Sequence, residues 1–148
     1  MNVNEFFKKV YTVAFRLTGD EMKAGDMAFI AIKCASSGLM LSDKVSDRMF
    51  QRAAEEVCRL FLSEADNNIQ VFKRFELNNS KAELFQDALM TLNPKSRVAI
   101  MWKDVLGFPI DDMAEIKCTK QELYSELNLA RRQMKEILND MELYETGA

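Results

Sequence analysis

An all-α protein built from two small helical domains is what this sequence predicts, and three observations carry that expectation. Apolar residues recur at helical spacing through both halves of the chain, the pattern of helices that bury one face. Helix stops and starts punctuate the pattern: Gly19 before Asp20, Asn93 before Pro94, and the two boxes Ser80/Glu83 and Thr119/Glu122. Between the third and fourth helices the stretch "EADNNIQVFKRFELNNS" breaks the period, with turn-forming asparagines at 67, 68, 78 and 79. At 148 residues and 48% hydrophobic content the chain can bury a core as one compact domain or two small ones.

Phe6, Phe7, Val10, Tyr11, Val13, Ala14 and Leu17 fall at helical spacing in a first helix, which Gly19 ends and after which Asp20 caps the next. The second helix runs from Glu21 to Ala35, with Ala24, Met27, Ala28, Ala31 and Cys34 or Ala35 inward. "SSGLMLSD" is a turn. A third helix over Lys44 to Ser63 places Met49, Phe50, Ala53, Val57, Leu60 and Phe61 on one side, completing an N-terminal three-helix bundle over residues 1–64. Residues 65–79 are a connector too apolar at Ile69, Val71, Phe72 and Phe75 to be a free linker, so it is expected to pack on its neighbours.

A C-terminal domain then spans residues 80–148. Ser80 and Glu83 cap a fourth helix with Leu84, Phe85, Ala88, Leu89 and Leu92 inward. Asn93 and Pro94 restart the chain as N-cap and first helical residue of a fifth, whose inner face is Val98, Met101, Trp102 and Val105 and whose end is Gly107. "FPIDDMAEIK" predicts a short sixth helix from about Pro109, followed by a turn at Cys118. Thr119 and Glu122 cap the longest helix, with Leu123, Leu127, Ala130, Met134, Leu138 and Met141 down one side. A short helix, a tight turn and a capped long helix make a helix-turn-helix, whose second member can lie in the major groove of DNA.

Composition narrows the function. The chain has no histidine, which removes the commonest general base and the commonest nitrogen ligand for a metal. The acidic pairs Glu55/Glu56 and Asp111/Asp112 are sequence neighbours, about 100° apart on a helix, and do not converge on one substrate atom. No P-loop or GxGxxG is present. The expectation is therefore a non-enzyme with no catalytic residues, no metal, no cofactor and no small-molecule substrate. Cys34, Cys58 and Cys118 lie far apart and read as reduced, mostly buried thiols. No run approaches the length of a membrane span, and "MNVNEFFKKV" lacks the features of a signal peptide, so a cytoplasmic protein is expected.

Two segments resemble the ECF group of bacterial RNA polymerase sigma factors. "FRLTGDEMKAGDMAF" is similar to the start of that group's core-binding and promoter-melting region 2. "ALMTLNPKSRVAIMWKDVLGFPIDDMAEI", with the downstream "LARRQMKEIL", is similar to its region 4. The resemblance implies a transcription initiation factor that binds core RNA polymerase and promoter DNA and is regulated by an anti-sigma factor or another protein. By position it implies polymerase contacts from Asp26, Met27, Phe29, Ile30 and Lys33, and a promoter-opening surface along Lys44 to Ser63, with Phe50 as its aromatic. It also implies a DNA-facing set of Lys117, Lys120, Gln121, Tyr124, Ser125 and Asn128, continued by Arg131, Arg132 and Lys135, of which Arg131 and Lys135 would serve phosphates.

Some residues depart from the family pattern. Phe29 and Ile30 replace polar residues, so either the second helix rotates to bury them or they form an exposed apolar patch. Glu55 and Glu56 stand where nearby phosphates would be repelled. Glu126 falls among the expected DNA-facing positions, in a half of the chain with nine basic and twelve acidic residues from Ser80 onward. Residues 117–135 are still net positive, five cations against two acids. Two functions stay open: a promoter-reading ECF-like sigma factor, or a sigma-like interaction protein that binds an anti-sigma factor or regulator and has lost promoter reading.

Overall fold

A computed structural model describes residues 1–36, 38–40, 43–65, 81–114 and 118–145; the side chains of residues 65 and 140–145 lie outside the description. Its elements are α1 (Val3–Thr18), α2 (Glu21–Ala35), α3 (Asp47–Ala65), α4 (Lys81–Met90), α5 (Pro94–Ile100) and α6 (Lys120–Glu145). A π turn at Met101–Val105 prolongs α5, and a 3-10 turn at Ile110–Asp112 precedes α6. The protein is all-α, as the periodicity predicts.

Capping residues fix the first two helices. Asn2 Oδ1 accepts from the Glu5 amide at 2.8 Å, Gly19 closes α1 in the left-handed region at φ 66°, and the Asp20 carboxylate accepts from the amides of Met22 and Lys23. The buried face of α1 is Val3, Phe6, Val10, Val13, Ala14 and Leu17. Phe7 and Tyr11 are exposed, because each stands about 100° around the helix from a buried neighbour, Phe6 or Val10. The helix α3 starts at Asp47 rather than Lys44. Residues 44 and 45 run extended against the N-terminus instead, Val45 N–H donating to Met1 O at 2.8 Å, and Ser46 Oγ caps the Met49 amide. In its middle, Ala53, Ala54, Val57, Cys58, Phe61 and Leu62 are buried.

In the second half, Asn93 Oδ1 accepts from the Ser96 amide at 2.9 Å with Pro94 at the first helical position, as expected. Ser80, the first half of the expected box before α4, and the connector 66–79 lie outside the described residues. Val98, Met101 and Trp102 are buried, but Val105 is exposed. The π turn, closed by Leu106 N–H on Met101 O, advances the backbone by one extra residue and swings Val105 off the inner face.

The expected sixth helix is a single 3-10 turn among the described residues. The segment is held at both ends: the Trp102 indole N–H donates to Pro109 O at 2.7 Å, and the Ala114 amide donates to the Glu55 carboxylate at 3.4 Å. Met113 is drawn extended between these anchors, its side chain buried. One apolar core runs through both halves, from Phe6 and Leu17 past Phe61 to Leu89, Trp102 and Leu127. Within each half the helices pack broadly, α1 on α2 and α3, α5 on α6; across the halves the contact is thinner.

Candidate nucleic-acid and protein interfaces

The last helix owes its start to Thr119 and Glu122. Thr119 Oγ1 accepts from the Glu122 amide at 3.1 Å and the Glu122 carboxylate reaches back to the Thr119 amide at 3.4 Å, the reciprocal box read in the sequence. Leu123, Leu127, Ala130 and Met134 turn to the core, and Leu138 is half-buried. With that stripe inward, Gln121, Ser125, Asn128, Arg132 and Lys135 form one outward row at alternating spacings of three and four. Lys120 is half-buried at the helix start, and Lys117 lies outside the described residues.

Glu122 and Glu126 face α5, away from this row. Lys95 Nζ donates to the Glu122 carboxylate at 2.6 Å, which together with the Thr119 amide holds that carboxyl below its usual range and raises the lysine in turn. Glu126 accepts from Ser96 Oγ at 2.7 Å and from the Asn93 side-chain amide at 3.3 Å, so it ties α6 to the capped start of α5. This corrects the expectation that Glu126 stands among the DNA-facing positions. Its partners lie about thirty residues upstream, beyond the reach of a local sequence pattern.

Two of the expected DNA contacts are engaged elsewhere. Arg131 grips Asp104 with Nε and a terminal nitrogen at 2.9 and 2.6 Å, and the Tyr124 hydroxyl donates to Asp111 at 3.0 Å. Asp104 raises the arginine's pKa, and Asp111 raises that of the phenol. Both side chains remain on the surface, but each now has an acidic neighbour that sequence spacing did not reveal.

The α2 surface resolves the open question about Phe29 and Ile30. They are 64% and 43% exposed, while Ala24, Met27, Ala28 and Ala31 fill the inner stripe. The helix has not rotated to hide them. Asp26 and Lys33 flank them in the open, with Lys33 Nζ 5.5 Å from the Phe29 ring centroid. Met27 is corrected out of this surface: at 3% exposure it packs in the core and offers a partner nothing.

Along α3, Phe50 is half-buried with its ring 6.2 Å from Phe108, Gln51 Nε2 donates to Asp112 Oδ2 at 3.3 Å, and Glu55 holds the Ala114 amide. Glu56 pairs with Arg59 one turn on. A small polar cleft of about 210 Å³ lies beside this face, lined by Cys34, Ala35, Arg52, Glu55 and Glu56. Of the thiols, Cys34 is exposed; burial pushes Cys58 up to about 12 and raises Cys118, so both stay protonated at neutral pH. No group of three or more acidic or thiol side chains among the described residues gathers into a metal site. None of their helices is long and apolar enough to cross a membrane.

No family model matches the chain, and no curated protein matches it. Among solved structures it is similar to the sigma factor RpoE from Bartonella quintana, determined in complex with the anti-sigma factor NepR. The two are 19% identical with a TM-score of 0.60, over 93% of this chain and 94% of that one. The chain therefore has a sigma-factor-like fold along nearly its whole length.

Proposed function

We propose that this chain is an ECF-like bacterial RNA polymerase sigma factor that acts in the cytoplasm, binding core polymerase and promoter DNA and carrying out no chemistry itself. In this reading residues 1–64 form the region-2-like domain, 65–79 the connector and 80–148 the region-4-like helix-turn-helix domain. The observation that carries it is the outward row of α6. Gln121, Ser125, Asn128, Arg132 and Lys135 stand free of the core on one helix face, and the two glutamates that would repel phosphate are taken up by α5. Cations in such a row position a helix on the duplex, and the polar side chains between them reach base edges. On α2, the exposed Asp26, Phe29, Ile30 and Lys33 are the surface offered to polymerase.

A second reading draws on a different observation. Arg131 and Tyr124 are occupied by Asp104 and Asp111, and Phe29 and Ile30 leave an apolar patch on α2. Both favour a sigma-like protein that meets an anti-sigma factor or other regulator through α2 and no longer reads promoters.

Purified chain mixed with core polymerase on a library of promoter fragments separates the two. The first reading expects a stable complex, promoter-dependent transcripts, and loss of both in a Phe29→Ser, Ile30→Ser chain that stays folded. Absence of complex and transcripts, with retained capture of an anti-sigma protein, overturns it.

A further inference from the structure

On α2 an exposed face stands opposite the buried one. Met22, Asp26, Phe29 and Lys33 recur at steps of four, three and four, so they fall in one line along the helix, with Ile30 beside them. Ala24, Met27, Ala28 and Ala31 lie on the other side in the core, whereas Met22, Phe29 and Ile30 are 79%, 64% and 43% exposed. An exposed apolar row of this kind marks a contact surface, and the charges within it select what fits.

Asp26 and Lys33 are seven residues apart, about 10.5 Å along the axis, too far to pair within the helix. Neither has an ionic partner among the described residues, and Lys33 lies against the Phe29 ring. The midpoint of the two charges falls between Phe29 and Ile30. A two-fold axis through that midpoint, perpendicular to α2, lays a second α2 antiparallel on the first. Asp26 of each copy then faces Lys33 of the other, while Phe29 meets Phe29 and Ile30 meets Ile30 at the axis. Set parallel, the same helices would bring Asp26 onto Asp26 and Lys33 onto Lys33, and the like charges would repel. The face is therefore self-complementary in the antiparallel orientation.

We propose that this chain forms a two-fold dimer through antiparallel α2 helices, centred on Phe29 and Ile30 and held in register by two Asp26–Lys33 pairs. One helix face is smaller than the about 800 Å² per partner of a standard interface, so the dimer is weak and forms as the concentration rises. The dimer does not depend on the function proposed above. Its consequence does: where α2 is the surface offered to polymerase, the dimer and the polymerase complex exclude each other.

Sedimentation equilibrium of the full chain over a range of concentrations tests the pairing. A reversible monomer–dimer equilibrium is expected, and it is lost in the Phe29→Ser, Ile30→Ser chain, whose circular dichroism is unchanged because both side chains are on the surface. Asp26→Lys alone and Lys33→Asp alone each set like charges against each other at both pairs and should weaken the dimer about tenfold. In the chain carrying both reversals opposite charges face again, and the affinity should return. A monomer at every concentration overturns the proposal. So does a dimer unmoved by the Phe29 and Ile30 changes or by the single reversals, or one that the double reversal fails to restore. Core polymerase added to the dimer reads the separate premise: if it binds the dimer intact, or does not bind the chain, the dimer stands and the assignment of α2 to polymerase falls.

Discussion

At the scale of single residues, Glu126 shows how one carboxylate changes meaning with its partner. On a helix wheel it is a negative charge among the positions expected to face DNA; in the fold it accepts from buried Ser96. Removing the acceptor would strand that hydroxyl away from water, and an unsatisfied buried polar group costs about 1–3 kcal/mol. Glu126→Ala is therefore expected to lower the urea midpoint by an amount in that range without strengthening duplex binding. Adding Ser96→Ala should recover most of the loss, since deleting both partners leaves nothing unsatisfied. A single variant of wild-type stability and tighter DNA binding would return Glu126 to the DNA face. Glu122 was legible from the sequence because its partner Thr119 is three residues away, whereas nothing local names Ser96.

At the scale of elements, several helix ends were legible where the chain itself carries a capping signal. Gly19, Asp20, Asn93 with Pro94, and Thr119 with Glu122 cap where expected, and period alone finds the buried Ala24, Met27, Ala28 and Ala31 of α2 and Leu123, Leu127, Ala130 and Met134 of α6, while Cys34 is exposed and the side chain of Met141 lies outside the described residues. The errors fall where distant contacts override local preference. Trp102 and Glu55 hold the segment before α6 to a 3-10 turn, and a π turn moves Val105 outward. The same cross-element logic divides the cations of α6. Arg131 is engaged by Asp104, an exposed pair contributing less than about 1 kcal/mol to stability, while no acidic partner competes for Arg132 and Lys135 among the described contacts. If the outward row meets phosphate, Arg132→Ala and Lys135→Ala should each reduce the slope of log affinity against log salt by about 0.9. Arg131→Ala should reduce it less, and Asp104→Asn should strengthen duplex binding by freeing the arginine. Equal slopes for all four variants would mean that α6 carries no phosphate contact.

At the scale of the whole molecule, the way the N-terminal and C-terminal helices join was not legible. Periodicity marks which face of a helix is buried; it does not say that a buried arginine and glutamine will cap the end of a helix some 70 to 80 residues upstream. That joint makes a prediction about cooperativity. Trp102, the sole tryptophan, is fully buried in the second half against Phe108 and the Pro109 carbonyl, so its fluorescence reports on that half, whereas far-UV circular dichroism reports on every helix. With that joint intact and one core running through both halves, the two signals should follow a single urea transition. In the Gln86→Leu, Arg97→Lys chain the buried part of the polar coupling is weakened, while the exposed links from Arg16 to Ala82 O, from Gln51 to Asp112 and from the Ala114 amide to Glu55 remain, and each half should unfold with the gentler denaturant dependence that accompanies a smaller exposed surface. The circular dichroism transition should then broaden and separate from that of Trp102. Coincident transitions in that chain would mean that the apolar contacts alone bind the halves into one cooperative unit, with the buried arginine and glutamine incidental to it.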